Sequence, residues 1–346
     1  MIRLEQFSHL VCNPETPIRE ALDRINSASP HLFQVVVGND GRVLGTVTDG
    51  DVRRAMLCGI TIDDAVGQCM HDSPIIGRAG DDEGNRAKLS AALFLPVVDV
   101  AGRVQHILVQ YPKGQIIRQA LVMAGGYGNR LGERTRDIPK PLLPVGDRPI
   151  LEHVLRHLED AGISEIHIAV HYLAEKIQAF VAARRNRARI DLIHEPEPLG
   201  TAGALGHFPG PIEGPILVVN GDVVTRADIK ALSEFHLDRG YDGTIAVTRY
   251  DVRVPFGVLR HNKDGLFAGI DEKPTFHHFV AAGIYCLSPD FVALVPRDRP
   301  VDMPEVLEIG HRAGLRIGLF PVHEYWIDVG EPADLEAAES VLADEG

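Results

Sequence analysis

The chain has 346 residues, of which 45% are hydrophobic and 24% charged, and its formal net charge at pH 7 is −13. The length favours two domains, and the composition is typical of a soluble globular protein. The acidic balance disfavours a nucleic-acid-binding surface or a surface for anionic membranes, because both need clustered Lys and Arg.

The location expected for the chain is cytoplasmic. No apolar run approaches the ~20 residues that cross a bilayer, and the first residues lack the pattern of a signal peptide. The four cysteines are scattered without a C-x-x-C pair. This spacing argues against a disulfide framework and against a thiolate zinc site.

The first part of the chain contains an internal repeat with a 61-residue offset. The run that begins at Phe33 precedes a Gly41 turn, and the run that begins at Phe94 precedes a Gly102 turn. Each copy reads as an apolar strand, a glycine-containing turn and a second apolar strand. A helical stretch precedes each pair, at 18–25 and 82–93. We therefore expect an α+β repeat pair over residues 1–113.

A second domain is predicted over residues 118–346. The segment Tyr111 to Gly114 interrupts the pattern, and strand-like and helix-like runs alternate after residue 119. The predicted helices include 150–161 and 174–185, and the predicted strands include 165–170, 216–219 and 243–247. This alternation predicts an α/β fold with a mostly parallel, mixed sheet.

A glycine-rich loop directly follows the first strand of this second domain. Gly125, Gly126 and Gly128 leave room for a ligand to approach the backbone N–H groups, which can hold phosphate. Arg130 adds positive charge, and so does Lys140, whose two proline neighbours restrict the backbone. The spacing matches neither the dinucleotide-binding fingerprint nor the P-loop.

Together, the loop and the Pro-Lys-Pro run resemble the sugar-1-phosphate nucleotidyltransferases. Their hallmark is Ala-Gly-Gly-x-Gly-x-Arg-Leu, here residues 124–131, followed by Pro-Lys-Pro-Leu-Leu-Pro-Val, here residues 139–145. Six later elements match in the family's order: residues 198–205, 219–222, 254–258, 271–274, 282–285 and 326–330. The resemblance implies a Rossmann-like nucleotidyltransferase domain.

The resemblance also implies a role for each matching residue. The catalytic residues would be Arg130, Lys140, Asp222, Lys273 and Asp328, and Asp222 and Asp328 would bind Mg²⁺. The nucleotide would be bound by Ala124, Gly125, Gly126, Gly128, Gly200, Thr201 and Gly203. The sugar would be bound by Gly257, Glu272, Lys273 and Gly283.

The chemistry of nucleotidyl transfer needs these residue types. Both reactants are anionic, so catalysis depends on positioning and charge neutralisation. Each residue taken alone has a plainer interpretation. Asp222 and Asp328 suit turns at strand ends, and Lys273 suits an exposed loop. The joint, ordered match favours the catalytic interpretation.

The N-terminal repeat resembles a tandem pair of CBS modules, which usually bind adenine nucleotides and regulate an attached enzyme. Thr48 and Asp51 match the family's ribose-phosphate motif, although an Asp at a helix N-terminus also suits simple capping. At the same offset the second copy has Val109 and Pro112. One ligand pocket is the most we expect, and the alternative is a purely structural or dimerising role. The resemblance implies a homo-oligomer.

The substrates favoured by the resemblance are GTP and glucosamine 1-phosphate or mannose 1-phosphate, with a heptose 1-phosphate as a further candidate. The motif at residues 199–205 is closer to guanylyltransferases than to thymidylyl or uridylyl enzymes. The main alternative is a catalytically silent sensor that binds a nucleotide-sugar and is regulated through the CBS pair. A glycosyltransferase is a second alternative, but it would be expected to show an Asp-x-Asp motif where Asp222 follows Asn220-Gly221.

Overall fold

The computed structural model of the chain describes residues 1–28, 32–90, 92–110 and 117–343. The chain divides into two compact units, Met1–Gln115 and Ile116–Gly346. The boundary predicted between residues 113 and 118 lies mostly within residues 111–116, which are outside the described residues. Pro112 lies in the same range.

In the described residues of the first unit, the structure shows short strands and three helices. Its strands are β1 (Ile2–Leu4), β2 (Val11–Cys12), β3 (Phe33–Val37), β4 (Val43–Thr48), β5 (Gly77–Arg78), β6 (Phe94–Val98) and β7 (Val104–Val109). Its helices are α1 (Ile18–Ser27), α2 (Asp49–Leu57) and α3 (Asp82–Leu89), with 3₁₀ turns at Ser8–Leu10 and Val66–Gln68.

The repeat predicted from the sequence is present in the backbone. In each copy a short strand pairs in parallel with the first long strand, which pairs antiparallel with the second: β2-β3-β4 and β5-β6-β7. A β-bulge falls between Val36 and Val37 and again between Val97 and Val98. Phe33 and Phe94 stack face to face with ring centroids 3.8 Å apart. Residues that are 61 positions apart therefore occupy equivalent places in the two copies.

The second unit is an α/β domain. Its strands are β8 (Gln119–Met123), β9 (Pro144–Val145), β10 (Arg148–Pro149), β11 (Glu165–Val170), β12 (Arg189–His194), β13 (Ile216–Asn220), β14 (Val223–Thr225), β15 (Gly243–Arg253), β16 (Val258–His261), β17 (Phe267–Asp271), β18 (Thr275–Leu287), β19 (Ile317–Pro321) and β20 (Trp326–Asp328). Its helices are α4 (Ile150–Asp160), α5 (Ala174–Ala183), α6 (Gly203–Gly206), α7 (Ile229–Arg239), α8 (Pro289–Val292), α9 (Met303–Arg312) and α10 (Pro332–Ala343), with 3₁₀ turns at Asn129–Thr135 and Lys140–Leu142.

Seven of the described strands form the central sheet of this unit, in the order β12-β11-β8-β13-β18-β15-β19. The pairs are parallel except for those made by β18, which runs antiparallel to both neighbours. The predicted mixed, mostly parallel sheet is confirmed. The chain moves from β8 to β11 and β12 on one side and then to β13 on the other. Ligands of open α/β sheets bind at the carboxyl ends of the strands where the order reverses in this way, here between β8 and β13.

Apolar side chains cover both faces of this sheet. One buried cluster includes Val122, Ile168, Leu155 and Phe320, and another includes Leu121, Val218 and Phe291. The alternation of side chains along each strand explains why neighbours such as Leu121 and Val122 belong to opposite clusters. Among the described residues, the helices are too short or too polar to cross a membrane.

Candidate active site

A cleft of about 340 Å³ opens at the carboxyl ends of the parallel strands. Its lining includes the glycine-rich loop after β8, the segment after β12 and the residues that follow β13. The structure therefore places the predicted nucleotide-binding segments in one concave site. Such a site is the expected location for a ligand in this type of sheet.

Close packing explains two of the loop glycines. A Cβ at Gly125 would lie 2.5 Å from Oε2 of Glu195, and a Cβ at Gly128 would lie 3.0 Å from the Thr135 side chain. Gly128 also has a φ of +68°, in the left-handed region that favours glycine. The backbone path therefore favours glycine at Gly128, and a side chain at Gly125 would have to displace the Glu195 carboxylate.

Two aspartates meet at the same end of the cleft. Asp222 follows β13, where the N–H of Gly221 donates to the carbonyl of Met123 (2.9 Å). Asp328 ends β20 and lies opposite Val223 of β14. The N–H of Val329 donates to the Asp222 carbonyl (3.0 Å), which ties the two aspartates together. Residues more than 100 positions apart in the chain thus become neighbours.

Lys140 lies between the two carboxylates. Its Nζ is 2.5 Å from Oδ2 of Asp222 and 3.8 Å from Oδ1 of Asp328. Lys140 is buried, in the 3₁₀ turn that follows Pro139. A Cβ at Gly330 would lie 3.3 Å from a guanidinium nitrogen of Arg130, which brings that cation beside Asp328 as well. Four of the five predicted catalytic residues are therefore grouped here.

Two oxygens of this aspartate pair are free to accept a further ligand contact. Oδ1 of Asp222 and Oδ1 of Asp328 are buried and have no hydrogen-bond partner. Burial raises the pKa of Asp328, and the neighbouring Asp222 carboxylate raises it further, while Lys140 opposes this effect. Among the described residues, no group of three or more His, Cys, Asp or Glu side chains forms a metal site. Two carboxylate oxygens without hydrogen-bond partners fit a hard cation that takes its remaining ligands from water and phosphate.

The segment after β12 is held in place by helix α9. Gly200 has a φ of +82°, and a Cβ there would lie 2.6 Å from the carbonyl oxygen of Val301. The N–H of Thr201 donates to Oδ1 of Asp302 (2.8 Å), and the Thr201 hydroxyl accepts from the N–H of Met303 (2.8 Å). The Thr201 side chain is therefore engaged with α9, although Thr201 also lines the cleft.

The predicted sugar-binding residues do not line the cleft, although Gly283 packs against its wall. Gly283 has a φ of +72°, and a Cβ there would lie 2.8 Å from the Asn220 amide nitrogen, at the cleft wall. Gly257 lies beside Glu272, since a Cβ at Gly257 would be 2.9 Å from a Glu272 carboxylate oxygen. Lys273 has a φ of +48°, which is unusual for a residue with a side chain. None of the four predicted sugar-binding residues is among the described residues that line the cleft, whereas Asn220, beside Gly283, is.

Two residues of the site were absent from the sequence-based prediction. Glu195 lines the cleft and is buried directly after β12, and Asp302 anchors Thr201. The alternation of polar and apolar residues over 189–194 was the available signal for β12, and thus for a carboxylate at its end. Nothing local in the sequence connects Asp302 with a segment about 100 residues earlier.

The comparisons with known proteins agree with this geometry. Residues 119–345 match the family model described as "Nucleotidyl transferase". The chain belongs to the nucleotidyl transferase family. Members of this family generally use a divalent metal ion.

The proteins that are similar to this chain include mannose-1-phosphate guanylyltransferases. The catalytic subunit beta from Drosophila pseudoobscura pseudoobscura is 33% identical, and the alignment covers 62% of this chain and 60% of that protein. The enzyme from Aspergillus fumigatus is also 33% identical, and the alignment covers 62% of this chain and 62% of that protein. The chain thus spans about three fifths of the length of these relatives.

Among solved structures, HddC from Yersinia pseudotuberculosis is similar to this chain. It is 28% identical, with a TM-score of 0.52 over 65% of this chain and all of HddC. A second structure of HddC contains GMP-PN, and it is 27% identical with a TM-score of 0.50 over the same shares.

In the first unit, residues 8–58 match the CBS domain model. Thr48 is the N-cap of α2, and its hydroxyl accepts from the N–H of Asp51. The Asp51 carboxylate accepts from the N–H of Thr48 (2.9 Å) and pairs with Arg54. The two predicted ligand residues therefore form a capping box, which is the simple structural role weighed against ligand binding.

Proposed function

We propose that the protein transfers a guanylyl group from GTP to a sugar 1-phosphate. A phosphate oxygen of the sugar 1-phosphate attacks the α-phosphorus of GTP, the bond to the bridging oxygen breaks, and pyrophosphate leaves. The products are a GDP-sugar and pyrophosphate, so atoms and charge balance. This assignment rests on the Asp222–Lys140–Asp328 group beside the glycine-rich loop.

The chain's own residues would bind and neutralise the phosphates. Backbone N–H groups of the glycine-rich loop and Ala124 would face the triphosphate, and Arg130 and Lys140 would supply positive charge as pyrophosphate departs. Gly257, Glu272, Lys273 and Gly283 would bind the sugar phosphate once substrate brings them to the cleft. In the described state Gly257, Glu272 and Lys273 do not line it.

Mg²⁺ is the cation that this carboxylate pair suits best. Mg²⁺ is usually held by one or two protein carboxylates together with substrate phosphates, and Asp222 and Asp328 offer two buried oxygens without hydrogen-bond partners. When bound, the ion supplies charge neutralisation and holds the phosphates in line for the displacement.

The choice of GTP is supported by the relatives, which are named guanylyltransferases, and by the GMP-PN complex of HddC. The same names favour mannose 1-phosphate, and glucosamine 1-phosphate stays a candidate from the sequence motifs. A pyrophosphate-release assay with Mg²⁺ tests the proposal. It crosses GTP, ATP, CTP, UTP and dTTP with mannose, glucosamine and glucose 1-phosphates.

Release that needs one triphosphate and one sugar phosphate together is the expected result. Asp222→Asn should lower the rate by about 10²–10³-fold, because it removes one charge from the site without changing its shape. Asp298→Asn changes an exposed aspartate of the same unit and should have no effect. If no pair releases pyrophosphate while a nucleotide-sugar binds, the sensor hypothesis replaces the enzyme.

The first unit would act as a regulatory or dimerising module. We propose that an adenine nucleotide binds near Thr48 and Asp51, and that the chain forms a homo-oligomer through its CBS pair. A cytoplasmic location is part of the same proposal. The four cysteines are free thiols, as expected in a reducing compartment where nucleoside triphosphates are available.

A further inference from the structure

Exposed apolar side chains are concentrated in one stretch of the second unit. Nineteen large hydrophobic residues are exposed among the described residues, and nine of them lie between residues 250 and 279. This stretch contains the outer halves of β15 and β18, which pair with each other, and the β16–β17 hairpin that connects them. A single exposed apolar residue needs no explanation, whereas a concentration of them marks an interaction surface.

The outer half of β15 has an open edge. β19 pairs with β15 only over residues 243–247, so no described strand lies beside residues 248–253 on that side. The Val247 carbonyl accepts the N–H of Val322 on the same side (2.7 Å). Because backbone groups alternate along a strand, those of Arg249 and Asp251 face this open edge as well. An open edge of this kind is a template for a further strand.

The two faces of this outer half differ in character. Arg249 and Asp251 share one face, where Nε of Arg249 lies 2.9 Å from a carboxylate oxygen of Asp251. Tyr250 and Val252 lie on the other face and are 58% and 42% exposed. Phe276 of β18 is paired with Val252 and is 45% exposed. The edge therefore combines alternating charge on one face with apolar side chains on the other.

The order of the charges allows this edge to pair with a copy of itself. In a symmetric antiparallel pair, residues on the same face oppose each other, so the two-fold axis passes through Tyr250 or one of the next two residues. With the axis at Tyr250, Arg249 of each copy opposes Asp251 of the other. With the axis at Asp251, Arg249 opposes Arg253, and like charges repel. The third position would bring in Pro255, which has no N–H to donate.

The net charge of this stretch also favours a second copy as the partner. Residues 249–279 contain five Lys or Arg and four Asp or Glu, whereas the whole chain has a net charge of −13. Two copies of so acidic a chain repel each other, and the repulsion is smallest between surfaces that are almost neutral. A strongly charged partner would find no complementary field on this surface.

We propose that the outer half of β15 pairs antiparallel with the same segment of a second copy, with the two-fold axis at Tyr250. Arg249–Asp251 pairs between the copies flank the axis on one face. On the other face, Tyr250, Val252 and Phe276 of both copies bury each other. This interface is separate from any association through the first unit, and it does not depend on the proposed nucleotidyl transfer.

Charge reversal at either residue of the pair tests the interface in the full-length protein. Arg249→Asp and Asp251→Arg each place like charges opposite each other on both sides of the axis. Each change should weaken association by about 100-fold or more. Sedimentation velocity without substrates should give each variant half the molar mass of the wild-type protein. The ratio is the same whether or not the first unit associates as well.

An equimolar mixture of the two variants separates contacts between copies from contacts within one chain. One variant carries two acidic side chains at these positions and the other carries two basic ones, so a mixed pair regains opposite charges. The mixture should therefore recover the wild-type molar mass, and so should the double variant Arg249→Asp/Asp251→Arg. Loss of the contact within each chain would not be repaired by mixing.

Arg189→Asp is the matched control. Arg189 lies on β12, at the opposite edge of the sheet, and has the same contact with the aspartate two residues on, Asp191 (2.9 Å). The apolar side chains beside it, Ile190 and Leu192, pack against the buried core. This variant should keep the wild-type molar mass. The fluorescence of Trp326, the sole tryptophan of the chain, reports whether each variant is folded.

Three results would overturn the proposal. The first is a wild-type protein that sediments as a monomer. The second is a wild-type molar mass for both single variants. The third is a mixture of the two variants that gains no mass. Because no substrate is present, the outcome of the pyrophosphate-release assay does not affect these results.

Discussion

Glu159 is the centre of a buried ionic network that holds the start of β12. Its carboxylate accepts two hydrogen bonds from Arg184, both of 2.9 Å, and further ones from the backbone N–H groups of Arg187 (2.9 Å) and Ala188 (3.2 Å). The side chains of Glu159 and Arg184 are 2% and 7% exposed. The network therefore joins α4 to the residues that lead into β12, at whose other end Glu195 lies.

These contacts set the size of the effect expected for Glu159→Gln. They lower the pKa of Glu159 from 4.5 to about 2, against the opposing effect of burial. A difference of that size corresponds to about 3 kcal/mol of stability. Gln keeps the shape but turns one acceptor into a donor that faces the Arg184 guanidinium. We expect the free energy of unfolding at pH 7 to fall by about 3 kcal/mol, and Tm by about 6–12 °C for a unit of this size.

The pH dependence gives a second check. Because the pKa of Glu159 is depressed in the folded state, its contribution is complete above pH 4.5 and is lost as the pH falls toward 2. The difference in stability between wild type and Glu159→Gln should be constant from pH 8 to pH 5. Below pH 4.5 it should shrink by up to about 1.4 kcal/mol per pH unit.

Urea unfolding followed by Trp326 fluorescence measures this quantity, since the sole tryptophan lies in the second unit and donates its Nε1–H to the Ala282 carbonyl (2.8 Å). Asp160→Asn is the control, because Asp160 is the next residue, is 67% exposed and pairs with Arg187. It should change stability by less than about 1 kcal/mol. A loss below about 1 kcal/mol for Glu159→Gln at pH 7, or a difference that persists unchanged at pH 3.5, would refute the reasoning.

Two further predictions concern a buried histidine and the N-terminal unit. Burial lowers the pKa of His236 to about 4, so its neutral form is favoured and stability should fall by up to about 3 kcal/mol between pH 6.5 and pH 4. In urea unfolding, His236→Gln should lose this pH dependence, and an unchanged pH profile would contradict the assignment. Calorimetric titration of the full chain with ATP, ADP and AMP should show binding that Asp51→Asn weakens about tenfold. No heat with any of the three would leave Thr48 and Asp51 as a helix cap alone.

Local patterns predicted the elements that are specified by nearby residues. The helix predicted over 150–161 is observed as Ile150–Asp160, and the strand predicted over 165–170 is observed as Glu165–Val170. The helix predicted over 82–93 ends earlier, at Leu89. The strand predicted over 243–247 continues to Arg253, because β18 pairs with it along its whole length. Its outer half alternates Tyr250 and Val252 with charged residues, but residues 249–253 are exposed on both faces.

The candidate site was predictable where its residues lie in short motifs. The glycine-rich loop and Asp222 follow strands, Lys140 lies in a proline-bounded turn, and Asp328 ends a strand. The fold brings them together at the cleft. Sugar binding stays a prediction, and Glu272 and Lys273 lie in an exposed segment outside the lining of the cleft. A motif shows which residue types occur and in which order. Whether two motifs meet in space depends on the register of strands that are distant in the sequence.

The Thr201–Asp302 contact shows why the missed residues could not be read from local sequence. Asp302 is the N-cap of α9 but makes no capping hydrogen bond to its own helix. Instead it accepts the N–H of Thr201, and the Thr201 hydroxyl accepts the N–H of Met303 at the first turn of α9. Each segment therefore satisfies a backbone donor of the other, and neither is complete alone. The exchange fixes the position of Gly200, which lines the cleft, so the geometry of this wall of the cleft is set by a helix about 100 residues away.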